Sequence, residues 1–254
     1  MPVEGWSSIS KNSTNGRILY RRLTPLRWSL RALGAVAPGT VGRLGFLIFR
    51  TTQRYPLPER ERRWVEDAEP LELQLDGRPI RGWSWGDGPA VLLMHGWGGR
   101  GSQMGALARS IAASGLRAVA LDAPGHGTSA GRLSSLPQFS ATVALAAERF
   151  GPLRGVVAHS FGAAGTGWAL REALAIERLV FIAAPGDLDG YLAGFRELVG
   201  LSERGLEHLI GSLEERFDID WQRSRHATTI HADDRPMLVV HDTFDDETPY
   251  SGGL

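Results

Sequence analysis

Ser160 sits where a hydroxyl can become a nucleophile. The stretch Val156 to Gly165 reads VVAHSFGAAG, and Gly155 through Ala158 has the short apolar composition of a buried strand. From Phe161 to Leu174 the chain is rich in Ala and other good helix formers. A serine at a sharp strand-to-helix turn has its hydroxyl lifted clear of the sheet, close to the amides that open the helix. The strain of that turn is tolerated when the residues two before and two after are small, here Ala158 and Gly162. Taken alone, the same pentapeptide is equally a helix cap. Two further stretches carry chemistry-bearing residues. The apolar run Ala90 to His95 ends in His95-Gly96-Trp97-Gly98-Gly99, and Arg117 to Leu121 leads into Asp122-Ala123-Pro124-Gly125-His126-Gly127-Thr128-Ser129.

Together these three motifs resemble the α/β-hydrolase superfamily, with its HG-x-x oxyanion loop, its D-x-x-G-x-G-x-S turn and its G-x-S-x-G nucleophile elbow. They come in that family's order and at its approximate spacing, over roughly Leu71 to the last residue. The resemblance implies an α/β fold with a mostly parallel, doubly wound sheet. It also implies a serine esterase or lipase-like hydrolase that acts on an apolar acyl substrate through an acyl-enzyme at Ser160. The backbone N–H of Phe161 and that of Trp97 would receive the developing oxyanion. His95, Gly96, Asp122, His159 and Gly162 fall on the motif positions that support the site. Near the end, His241-Asp242-Thr243-Phe244-Asp245 and the following residues to Pro249 are similar to the acid-bearing loop H-G-x-x-D-x-x-V-P. This places Asp245 as the acid that orients the base, with Asp242 at the glycine and Thr248 at the valine.

In this fold the catalytic histidine follows the acid in the order Ser, Asp, His. No histidine follows His241 in the sequence, which ends at Leu254. The resemblance would still require a helix, a last strand and a histidine loop, so a missing C-terminal segment is expected. Two functions follow, of different classes: a serine hydrolase of the carboxylic ester type, or a hydrolase-fold binding protein whose triad is incomplete. His208, His226 and His231 lie in the cap or its return, where a base could only converge from a distance.

Composition narrows the field. The 254 residues are 43% hydrophobic and 22% charged, ordinary for a soluble globular chain. With no cysteine, thiol catalysis and disulfides are excluded. The 28 basic and 28 acidic residues balance, which argues against nucleic acid as a partner. The spacing of His, Asp and Glu suggests no metal site, and no cofactor is expected. The N-terminus lacks a secretory pattern, and the apolar stretch from Leu33 to Phe49 is broken by Pro38, glycines and Arg43. A cytoplasmic location is therefore expected.

The elements that must position the site can be read in order. Residues 1–70 form a basic extension and connector, with Lys11, Arg17, Arg21, Arg22, Arg27, Arg31, Arg43, Arg50 and Arg54 against Glu4 within the first 54. A helix from about Thr24 is stopped by Pro38-Gly39, and Thr40 is placed to cap a second, from Val41 to about Thr52. This hairpin of helices is amphipathic. It suits packing on the hydrolase core or, through residues 17–54, weak contact with an anionic membrane surface. Residues 71–254 form the core, opened by the strand pair Leu71–Leu75 and Ile80–Trp85. Helix and strand patterns then alternate, which implies parallel strands with helices on both faces. The alternation lapses over residues 186–233, where the resemblance places a small helical cap. Oligomer formation is left open.

Overall fold

The structure, a computed structural model, describes residues 24–186, 188–224, 234–245 and 248. Its sheet begins with the antiparallel pair β1 (Glu69–Leu75) and β2 (Arg78–Trp85). They are joined at Asp76 and Gly77, with φ of 51° and 70°. Positive φ at both central residues is what a two-residue turn needs to match the twist of its strands. Next come β3 (Ala90–Met94), β4 (Arg117–Leu121), β5 (Gly155–His159), β6 (Leu179–Ile182) and β7 (Met237–Val240). They lie in the order β1-β2-β4-β3-β5-β6-β7, parallel from β4 to β7. The mostly parallel α/β architecture expected from the alternating pattern is the one formed.

Side chains of the central strands alternate between two apolar layers. Leu92, Met94, Leu121 and Val156 pack with Phe139 and Val143 of α5 (Leu136–Phe150) and with α6 (Phe161–Ala169). Val91, Leu93, Ala118 and Ala120 face the opposite side, against Ala108 and Ile111 of α4 (Gly105–Ala113) and Val65 of α3 (Glu59–Val65). Sheet order reverses about β3, so the connections leaving β3 and β5 diverge and open a crevice at their carboxyl ends. His95 and Ser160 stand at those two ends. On the α3 side, Glu61 accepts from Arg100 Nε and Nη2 and from Ser102 Oγ, each at 2.7 Å. This bidentate, buried pair fixes the loop after β3 to α3, and removing either partner would strand a charge in the interior.

The N-terminal helices α1 (Thr24–Val36) and α2 (Pro38–Arg50) lie against the helices that follow β6, namely α7 (Asp189–Val199) and α8 (Glu203–Phe217). A short α9 (Trp221–Ser224) comes after them. At Gly42 a methyl would come within 2.4 Å of His208 Cβ and 2.7 Å of the Gly205 carbonyl, so only glycine lets α2 approach α8 this closely. Two boundaries differ from the sequence expectation. Pro38 starts α2 rather than separating it, because proline suits the first helical turn, where no intrahelical N–H is needed. Thr40 is thus inside the helix. The helix after Ser160 ends at Ala169 instead of Leu174, since the chain must turn back to pair Ile176 with Leu153. Among the described residues β7 is one edge of the sheet, opposite β1, with Leu238 and Val240 exposed. No described helix is long and apolar enough to cross a membrane.

Candidate active site

Ser160 links β5 directly to α6, with φ 51° and ψ −120°. An L-residue reaches that region only under strain, and such strain collects where a side chain must be presented. Its backbone is held on both sides: the N–H donates to the Ile182 carbonyl at 2.8 Å, and its carbonyl accepts from Ala163 N at 2.8 Å. Small neighbours make the turn sterically feasible. A methyl on Gly162 would sit 2.5 Å from the His95 carbonyl, and one on Gly96 would be 3.1 Å from both Ser160 Cβ and His159 Nδ1. The loop after β3 is therefore in contact with the turn after β5. This brings Trp97 beside Phe161, their rings 5.2 Å apart and edge to face.

Beneath them, buried polar groups hold the loops. Asp122 accepts from Gly101 N at 2.7 Å, Thr128 N at 2.7 Å and Thr128 Oγ1 at 2.9 Å. Burial raises its pKa against the opposing pull of those bonds. His95 Nδ1 bonds the Gly96 carbonyl at 2.7 Å, and its Nε2 accepts from Ala123 N at 3.1 Å. That pair of bonds requires the neutral ring with its proton on Nδ1. His126 Nδ1 bonds the Pro124 carbonyl at 3.1 Å, and its ring packs on Trp97 at 5.3 Å and Phe139 at 5.2 Å. Burial, the largest cause in each case, lowers the pKa of His95 to about 4 and of His126 to about 3.

These two histidines give a signed pH dependence. Both carry the ordinary value of 6.5 when unfolded, so below it protons bind the unfolded chain first. Stability is full above pH 6.5 and is lost as pH falls toward 4. The slope is up to about 1.4 kcal/mol per pH unit for each histidine. Asp122 acts in the opposite sense, since its raised pKa adds stability as pH falls through the carboxylate range. Urea melts at successive pH values check this, and His126→Phe is expected to reduce the slope by one proton's worth. A stability flat from pH 7 to 5 would contradict it.

Tyr191 of α7 approaches Ser160, its hydroxyl 3.4 Å from Ser160 Oγ, long for a hydroxyl pair. Tyr191 of α7, Trp221 of α9, Phe49 of α2, and Trp97, Leu136 and Phe161 line a narrow apolar cavity of about 30 Å³. Phe49, Tyr191 and Trp221 carry no motif in the sequence and come together only through helix packing. For Phe49 and Tyr191 the available signal was their position in amphipathic helices.

Asp245 stands in the loop after β7, at the same end of the sheet as Ser160. Its Oδ1 accepts from Thr248 N at 2.8 Å, and its Oδ2 is 3.8 Å from His241 Nε2. His241 Nε2 itself bonds the Thr248 carbonyl at 2.7 Å. His208 packs against Gly39 and Gly42 of α2. His226 and His231 lie outside the described residues. Among the described residues, Tyr191 is the only side chain hydrogen-bonded to Ser160 Oγ, and no group of side chains is arranged to hold a metal ion.

The chain is similar to solved structures of known proteins. The thioesterase domain from the curacin biosynthetic pathway is 30% identical over 47% of this chain and 46% of its own, with a TM-score of 0.44. The match thus spans about half the length of that relative. An epoxide hydrolase, VrEH1 from Vigna radiata, is 23% identical over 48% of this chain and 42% of its own, at a TM-score of 0.44. A candidate lipase, lip1 from Acinetobacter baumannii AYE, shares the fold over 76% of this chain and 80% of its own, with 15% identity and a TM-score of 0.53. Comparison with curated proteins gives no match. The family model described as serine aminopeptidase, S33, matches residues 88–244, more than half of the chain and all three motifs. With its elbow serine, its glycine loop and its mostly parallel sheet, the chain belongs to this family of α/β-hydrolases.

Proposed function

We propose that the chain is a serine hydrolase acting on a carboxylic ester or thioester of an apolar acid. The observation that carries this reading is the strained Ser160, set against the Gly96–Trp97 loop and followed by Phe161, which lines an apolar cavity with Trp97 and Tyr191. In the first step Ser160 Oγ attacks the acyl carbon while a base takes its proton. The oxygen that becomes negative is received by the N–H groups of Phe161 and Trp97. Collapse of the tetrahedral species expels the alcohol or thiol, and water then releases the acid from Ser160. Asp245 is assigned to orient the base and balance its charge. His95, His126 and His241 hold backbone partners and His208 packs on α2, so none of these four is assigned as the base. His226 and His231 are the first two to test.

Aminopeptidase action on free amino-terminal peptides fits the site less well. Among the described residues no side chain lining the cavity is acidic, so none of them offers an ammonium group a counter-charge. A second reading, a binding protein of the same fold without turnover, is favoured by one contact: Ser160 Oγ meets Tyr191 rather than a histidine. We also assign weak membrane-surface contact to α1, where Trp28 and Val36 are 68% and 81% exposed.

Aryl esters of increasing acyl length test the substrate class. The expected kcat/KM rises by about fourfold for each methylene that the cavity accepts. Preference for an amino-acyl anilide over every ester would contradict it.

A further inference from the structure

A second cavity, of about 410 Å³, lies apart from Ser160 and is lined by Arg50, Arg78, Arg132 and Arg216, with Asp76 and Gln138 in its wall. That volume falls in the range of roughly 300–1,000 Å³ usual for small-molecule sites. The four arginines come from separate elements: the end of α2, the start of β2, the loop before α5, and α8. Their convergence is a product of the fold and not of one charged helix face. Arg50 forms the floor. It is only 7% exposed, and it is held by the Ser134 carbonyl and Gln138 Oε1, each at 3.4 Å, with its guanidinium 4.8 Å from the Phe217 ring.

Other arginines of the chain are paired with acids, among them Arg81 with Glu72, Arg154 with Glu177 and Arg100 with Glu61. Among the described residues none of the four pocket arginines has a carboxylate within ion-pair distance, Asp76 included. Burial, then the like charges of Arg216 and Arg78, lower the Arg50 pKa, so the fields of these groups overlap at the floor. Like charges brought together without counter-charges destabilise a fold unless an anion relieves them. Planar guanidinium forks that converge on one point suit the several oxygens of a phosphoryl group.

We propose that this arginine pocket binds a phosphoryl group, carried by a small soluble molecule or by a lipid headgroup. The site is independent of Ser160 and of any turnover there. Calorimetric titration with inorganic phosphate, inorganic pyrophosphate and phosphatidate-containing vesicles tests it, at ionic strength matched with sodium chloride. The comparison is an Arg78→Gln/Arg216→Gln double variant, whose substituted side chains are exposed and whose fold is verified by thermal melting. Saturable binding of phosphate or pyrophosphate that weakens about 100-fold in the variant supports a soluble ligand. Binding of the vesicles alone, lost in the variant, supports a lipid headgroup. Absence of saturable binding to all three, or binding unchanged in the variant, overturns the proposal.

Discussion

Replacing Ser160 by alanine is expected to lower ester turnover by about 10⁴-fold or more, to the level left by binding and oxyanion contacts alone. The fold should not change, because Ser160 Oγ contributes only the long contact to Tyr191. Ser160→Gly makes the prediction sharper. At φ 51° and ψ −120° the serine backbone is strained, and glycine occupies that region freely. The glycine variant should therefore be more stable than the parent by about 1–2 kcal/mol while being equally inactive. A gain in stability joined to a loss of activity separates a serine placed for chemistry from one placed as a helix cap. A capping serine would give the reverse, with destabilisation on replacement and no effect on rate. Paired activity assays and urea melts of the three proteins decide between them.

Asp122→Ala is expected to destabilise the chain by about 3–5 kcal/mol and to lower activity as well. The carboxylate is fully buried and receives Gly101 N, Thr128 N and Thr128 Oγ1. Its loss leaves two interior amides without an acceptor, each costing about 1–3 kcal/mol, together with a small void. Gly101 begins the turn that follows the Trp97 loop, so misplacement should spread to the proposed oxyanion donor. Asp122→Asn separates size from charge. It fills the same space but can place only one carbonyl oxygen toward three donors, and an intermediate loss is expected. Equal stability of all three proteins in chemical denaturation would show that the loops are held by other contacts.

Most of the fold was legible because apolar alternation and turn residues are local signals. The β1–β2 pair can be read from Leu71, Leu73 and Leu75 with Asp76-Gly77, and the parallel strands from their short apolar runs. Helix ends were less legible, as at Pro38 and Ala169. There proline geometry and the return toward Leu153 override composition. At the site, Ser160, Gly96 and Gly162 announce themselves by spacing, because a strained turn admits few residue types. Phe49, Tyr191 and Trp221 do not, since they reach the cavity only when α2 and the helices after β6 pack together. The pocket around Arg50 was hidden for the same reason, its arginines being dispersed from Arg50 to Arg216. The basic N-terminal composition pointed to a charged surface, but not to charge that converges across the fold.

Covalent capture of the serine tests the central claim most directly, since it requires nucleophilicity at one atom and no knowledge of the natural substrate. The intact chain is incubated with an alkyl fluorophosphonate and digested, and the peptides are weighed by mass spectrometry. The expected result is a single adduct on the peptide containing Ser160, formed faster as the alkyl chain lengthens and absent from Ser160→Ala. Absence of an adduct in the folded parent, or an adduct on another residue that persists in Ser160→Ala, would contradict a nucleophilic role for Ser160.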